Sequence, residues 1–148
     1  MITMTSTTDG EALLSQIGFR DLRPLLRPPW HEGCGFLVRD AGGRIAVWPV
    51  PSLTPAPDRY AIGKAAWVQA NRRAQHTGCA ILGTIHTHPE GPEGPSERDL
   101  AIARRLPVTE LRMVWYPRGG HLTLYNRTGI LATTAIPAPW AWRVMAIA

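Results

Sequence analysis

Apolar positions recur along the chain in two periods, and the breaks between them are marked by proline and glycine. From Glu11 to about Leu26, Leu13, Leu14, Ile17, Leu22, Leu25 and Leu26 fit a helix interrupted near Gly18 and Pro24, with Pro28 and Pro29 ending it. Gly35–Val38 and Ile45–Trp48 are short apolar runs around Asp40-Ala41-Gly42-Gly43, the pattern of a β-hairpin. Residues 49–58 carry Pro49, Pro51, Pro55 and Pro57 and read as a loop. Arg59 to His76 predicts a helix. Ile62, Ala66, Ala70 and Ala74 recur every fourth residue, Ala65 widens the stripe, and Gly78 is the stop. Such a small-residue face suits close packing on a sheet.

Cys79–Ile85 predicts a strand, Pro89–Pro95 a Pro/Gly loop, and Ser96–Leu106 a helix with Leu100, Ile102, Ala103 and Leu106 apolar. Leu111–Tyr116 and His121–Tyr125 flank Gly119-Gly120 as a second hairpin, and Gly129–Ile136 adds a last strand. Residues 1–9 read as a flexible tail and residues 10–148 as one domain. The apolar C-terminal tail carries Trp140 and Trp142, read as a cover for the core, with a partner surface as the alternative. The sum is one mixed α/β domain, with an antiparallel-rich sheet flanked by helices.

Composition narrows the class. The chain has 148 residues, 45% hydrophobic and 18% charged, enough for a core without disulfides. A net charge of +5 allows an acidic protein partner, yet only Arg72-Arg73 and Arg104-Arg105 are adjacent basic pairs, so no nucleic-acid surface is expected. Cys34 and Cys79 make no CxxC pair and read as reduced, buried thiols. The Thr-rich start has no signal-peptide pattern and no apolar run reaches membrane-spanning length, so a cytoplasmic protein is expected.

The candidate chemistry lies in His86-Thr87-His88-Pro89, followed by Ser96 and Asp99. On an extended backbone residues i and i+2 share a face, so His86 and His88 present two imidazoles to one point. Ser96 is a good N-cap, and Asp99 falls in the first turn of the following helix, where its carboxylate can face the strand end. Two histidines, one carboxylate and an open fourth position describe a catalytic zinc site. Activating a water there needs a base. Glu32, at the start of the first strand, is better anchored for this than Glu90, Glu93 or Glu97, in or beside a loop. Thr87 points away from the two histidines and reads as structural. His31 reads as a surface residue, with support of Glu32 as the alternative, and His76 and His121 as surface residues. Cys34 reads as a buried strand thiol, with a nucleophile or ligand as the alternative.

Glu32-Gly33-Cys34-Gly35-Phe36-Leu37, then His86-Thr87-His88-Pro89, six residues, Ser96, two residues and Asp99, resembles the JAMM (MPN+) metalloprotease motif. The resemblance covers roughly residues 30–130. It implies a cytidine-deaminase-like (MPN/JAB) fold and zinc-dependent cleavage of amide bonds. His86, His88 and Asp99 would hold one Zn²⁺, Glu32 would serve as base and then acid, and Ser96 would stabilise the oxyanion, in competition with its role as helix cap. Many members are isopeptidases that remove ubiquitin-like proteins. Bacterial relatives occur beside activating-enzyme-like and conjugating-enzyme-like proteins, including in antiviral operons. A ubiquitin-like protein or its conjugate is therefore the expected substrate. The alternatives are a phage-tail-assembly or sulfur-carrier processing peptidase, and a non-catalytic MPN scaffold, which the intact motif disfavours.

Overall fold

The computed structural model describes residues 7–27, 31–56 and 58–139. Two helices open it, α1 (Thr7–Leu14) and α2 (Phe19–Leu22), the latter continued by a 3₁₀ turn over Arg23–Leu25. The hairpin β1 (Cys34–Arg39) and β2 (Ile45–Val50) leads to α3 (Lys64–Thr77) and β3 (Ala80–Thr87). After α4 (Glu97–Ala103) come β4 (Leu111–Tyr116), β5 (His121–Asn126) and β6 (Gly129–Ala135). The strands form one sheet in the order β2-β1-β3-β4-β5-β6. Every pair is antiparallel except β3–β4, which is parallel and is joined through α4. The expected mixed, mostly antiparallel α/β sheet is what the chain forms.

Both faces of the sheet are covered. Leu13, Leu14, Leu22 and Leu25 from the opening helices pack with Leu37, Ile85, Met113 and Trp115 on one face. On the other face α3 covers Phe36, Val38 and Trp48. Ala103 of α4 packs with Val114 and Tyr125. Cys34 pairs with His86, and Phe36 with Thr84. Thr84 and His86 therefore point to the second face, the one that α3 covers at Phe36. Gly83 is a requirement of the parallel pairing: a Cβ there would sit 1.6 Å from the Leu111 carbonyl oxygen.

The structure departs from the sequence pattern at several places. The first helix starts at Thr7, inside the stretch read as tail. Gly10 allows this approach, since a Cβ there would lie 3.0 Å from the Ala132 Cβ on β6. β2 runs on through Pro49 to Val50 rather than ending at Trp48. It is an edge strand, where a residue without an N–H is tolerated. β3 extends two residues past Ile85, to Thr87.

Helix α3 begins at Lys64, not Arg59. The backbone of Ala61 is already committed: its carbonyl accepts from Leu53 N–H at 2.9 Å and its N–H donates to the Ser52 hydroxyl at 3.0 Å. Gly78 stops the helix at φ +69°. Ala65 is exposed. Trp67 takes its place, packing edge-on against Phe36 with ring centroids 4.7 Å apart. Helix α4 ends at Ala103, and Ile102 faces out at 40% exposure rather than joining the core. Ile136 and Ala138 are buried, whereas Trp140 and Trp142 lie outside the described residues.

Candidate metal centre

His86 is the penultimate residue of β3 and His88 follows the strand directly. Both rings are buried, and their Nε2 atoms lie 3.1 Å apart. The Asp99 Oδ2 completes a triangle, 3.3 Å from the His86 Nε2 and 3.1 Å from the His88 Nε2. Asp99 is delivered by a reciprocal capping box. Its N–H donates to the Ser96 hydroxyl oxygen at 3.1 Å, and its Oδ2 accepts from the Ser96 N–H at 2.9 Å.

Among the described residues the Ser96 hydroxyl accepts from the Asp99 N–H and makes no donor contact. Ser96 itself lines the cavity described below.

The tautomer of His88 follows from its neighbour. Its Nδ1 is 2.9 Å from the Pro92 carbonyl oxygen, which only accepts, so Nδ1 carries the proton. When the ring is neutral, Nε2 keeps its lone pair toward the triangle, as a ligating imidazole does; when the ring is protonated, Nε2 donates to the Asp99 Oδ2. Burial pulls His88 down, but its contacts with Asp99 and the Pro92 carbonyl outweigh this and raise it. Burial lowers His86. Burial would raise Asp99, but hydrogen bonds from both histidines hold its carboxyl far below the usual carboxylate range.

Glu32 comes from just before β1 and is buried at 8% exposure. One carboxylate oxygen and ligand atoms of His86 and His88 all lie within 4.8 Å of one another. Burial pushes its carboxyl up to about 7, against the pull of His88. Its position is held by Thr87, whose hydroxyl accepts from Gly33 N–H at 2.8 Å while the Thr87 N–H donates to the Gly33 carbonyl at 2.9 Å. Gly33 is packed against the 3₁₀ turn so closely that a Cβ would lie 1.8 Å from the Leu25 carbonyl oxygen.

A cavity of about 420 Å³ opens onto this group. Segments 58–62 and 88–92 line it, together with Glu32, Ser96, Arg98, Asp99 and Ile102. Two side-chain contacts link the loop after His88 to the β4–β5 hairpin: Glu93 to His121 at 2.6 Å and Glu90 to Arg118 at 3.5 Å.

The spacing of the three donor atoms suits a metal ion. Three ligand atoms of a tetrahedral zinc, bound at about 2.0–2.1 Å, lie about 3.3–3.4 Å apart. The observed edges of 3.1–3.3 Å match that triangle within a few tenths of an ångström. Two imidazole nitrogens and a carboxylate oxygen are also the donor types that zinc takes. Glu32, His86 and His88 also group as a cluster compatible with a metal site.

Residues 24–135 match the family described as prokaryotic homologs of the JAB domain. The chain belongs to that family. A probable TtuB-protein conjugate cleaving protease of Thermus thermophilus is 37% identical over 83 residues, covering 54% of this chain and 54% of that protein. A catalase-peroxidase of Rhizobium leguminosarum is 33% identical over 100 residues, covering 67% of this chain and 14% of that protein. The JAB-domain chain thus spans about half the length of the first relative and a small part of the second. Solution structures of proteins from Desulfitobacterium hafniense and Salinibacter ruber share the fold. Their TM-scores are 0.55 and 0.51, each at 23% identity. The first alignment covers 92% of this chain and 91% of that one, the second 87% and 90%.

The structure also places the other residues singled out in the JAB-domain sequence. Cys34 is a buried thiol, pushed up to about 11 by burial, with Sγ 3.5 Å from the Val50 carbonyl. Cys79 is half-buried and free. His31 is half-buried and does not line the cavity, and His76 is exposed on the last turn of α3. Tyr60 and Arg112 are site neighbours that the sequence pattern did not single out. Tyr60 stacks on His86, and Arg112 donates to the Tyr60 hydroxyl. The available signal was Arg112 itself, a lone charge inside the apolar run Leu111–Tyr116 of a central strand.

Proposed function

We propose that this chain is a zinc-dependent peptidase or isopeptidase that cleaves after the C-terminal residue of a bacterial ubiquitin-like protein. It would free that protein from its targets or mature its precursor. The observation that carries this reading is the triangle of His86 Nε2, His88 Nε2 and Asp99 Oδ2, with edges of 3.1–3.3 Å, beside a buried Glu32. The relative named as a TtuB-conjugate cleaving protease supports the substrate class.

Asp99, rather than Glu32, is assigned as the third ligand. Its Oδ2 touches both imidazole nitrogens, and its carboxyl is held ionised. Glu32 has the opposite character: a carboxyl raised to about 7 exchanges a proton near neutral pH, which suits a general base. Zinc held by the triad would supply Lewis acidity, acidifying water and polarising the scissile carbonyl. Glu32 takes the proton of the attacking water and returns it to the leaving amine. The Ser96 O–H donates to the oxygen that gains charge, while its lone pair keeps the Asp99 N–H capped. Segments 58–62 and 88–92 line the cavity through which the substrate tail would enter.

The setting we assign is the cytoplasm, where Cys34 and Cys79 stay as free thiols. The partners are the activating-enzyme-like and conjugating-enzyme-like proteins of the same conjugation system.

The test is incubation of the zinc-loaded chain with a fusion of a ubiquitin-like protein from the same organism. Cleavage after the last residue of that protein, lost in Glu32→Gln, supports the reading. An intact fusion with zinc-loaded wild type overturns it.

A further inference from the structure

Arg112 is the second residue of β4, a central strand, and is 8% exposed. Among the described residues no carboxylate lies within ion-pair distance of it. A buried charge is costly unless its donors are satisfied, and a central strand ordinarily carries an apolar residue at such a position. Two phenols face the guanidinium instead: Nη2 donates to the Tyr60 hydroxyl, and Nε donates to the Tyr125 hydroxyl at 3.4 Å.

The sheet register puts this group on the site's own face. In the parallel β3–β4 pairing Thr84 is opposite Arg112 and His86 is opposite Val114, so Thr84, Arg112 and His86 point the same way. Tyr60 reaches the cluster from the irregular segment between β2 and α3. Its ring stacks on the His86 imidazole, with centroids 4.5 Å apart and planes 22° apart, while the residue also lines the cavity. The Nε2 of His86 is already fixed at its edge by His88 and Asp99. Contact on the flat of the ring fixes what those edge contacts leave free, the rotation of the imidazole about its bond to Cβ.

We propose that Arg112 and Tyr60 form a clamp that sets the ring plane of His86, making both positioning residues for the metal centre. The inference rests on the metal site proposed above. The phenol comes from the segment between β2 and α3, whose backbone is tied at Ala61 to Ser52 and Leu53. The arginine is held in the sheet ladder and braced by Tyr125. The same clamp ties one lining segment of the cavity to the ligand strand.

The experiment compares wild type with Tyr60→Phe, Arg112→Met and the double variant. Zinc affinity is read by competition with a chromophoric chelator. His86 imidazole resonances are read by NMR on the zinc-free chain, and urea midpoints control for folding. Tyr60→Phe removes one oxygen and keeps the ring. Each single variant is expected to bind zinc about 10-fold more weakly, the range for groups that orient a ligand. The double variant should be no weaker than the worse single, because both act through one contact. The His86 resonances should shift or broaden in Tyr60→Phe. Wild-type zinc affinity in Tyr60→Phe, or a double-variant loss equal to the product of the singles, overturns the clamp. If Arg112→Met does not fold, Arg112→Lys and Tyr60→Phe carry the comparison. Wild type that takes up no zinc would overturn the proposed function, and unchanged His86 resonances in Tyr60→Phe would then overturn the clamp separately.

Discussion

Ser96 and Asp99 satisfy each other twice: the Asp99 N–H donates to the Ser96 hydroxyl oxygen at 3.1 Å, and the Ser96 N–H donates to the Asp99 Oδ2 at 2.9 Å. The same Oδ2 faces both histidines, so the cap of α4 and the proposed metal triad share an atom. Ser96→Ala should therefore act on two levels. Loss of the cap should lower stability by about 1 kcal/mol. Loss of the hydroxyl donor should cut turnover by about 10²–10³. Ser96→Thr retains a hydroxyl and should recover most of both. Urea unfolding and single-turnover cleavage measure the two effects separately, and full activity in Ser96→Ala would remove the oxyanion role.

Removing one corner of the triangle should empty the site. His88→Ala and Asp99→Asn are expected to lose zinc on dialysis while wild type keeps one ion per chain, measured by atomic absorption. Retention of stoichiometric zinc by either variant would end the ligand assignment. Treatment of wild type with phenanthroline should stop cleavage, and added zinc should restore it.

Glu32→Gln separates base from ligand: cleavage should be abolished with zinc content unchanged. It also predicts a pH effect in the zinc-free chain. The carboxyl is raised from an ordinary 4.5 to about 7 in the fold, so the folded chain holds this proton more tightly than the unfolded one. Stability from this group is present below pH 4.5 and is lost as pH rises through 7. The loss is at most on the order of 3 kcal/mol. Urea unfolding of wild type and Glu32→Gln at pH 5 and pH 8 should show the variant gaining relative stability at the higher pH. Parallel behaviour of the two proteins would refute the burial assigned to Glu32.

Thr87→Val keeps the shape of the side chain and removes the acceptor of the buried Gly33 N–H. An unsatisfied buried donor costs about 1–3 kcal/mol. Because Gly33 adjoins Glu32, kcat should fall with zinc occupancy intact, and Thr87→Ser should rescue it. Unchanged kcat would show that Glu32 is positioned by other contacts.

Some of this was written into short stretches of the chain. His86 and His88 share a face because a strand has a period of two, and Ser96 reaches Asp99 because three residues close the first turn of a helix. These relations depend only on local backbone geometry, so spacing alone reveals them. The hairpin at Asp40–Gly43 and the stop at Gly78 are local in the same sense. The sequence pattern failed where distant groups competed for the backbone. Ser52 and Leu53 hold Ala61 out of a helix that its periodicity favours, and an edge position lets β2 pass through Pro49.

Tertiary structure alone decided what surrounds the triad. Glu32 meets His86 and His88 because β1 pairs with β3 in the register that sets Cys34 opposite His86. Arg112 comes under the site because β4 lies parallel to β3, and Tyr60 is drawn from its loop to that arginine. No local period encodes those meetings. They are set by sheet register and by the need to satisfy a buried charge, and both exist only once the strands have paired.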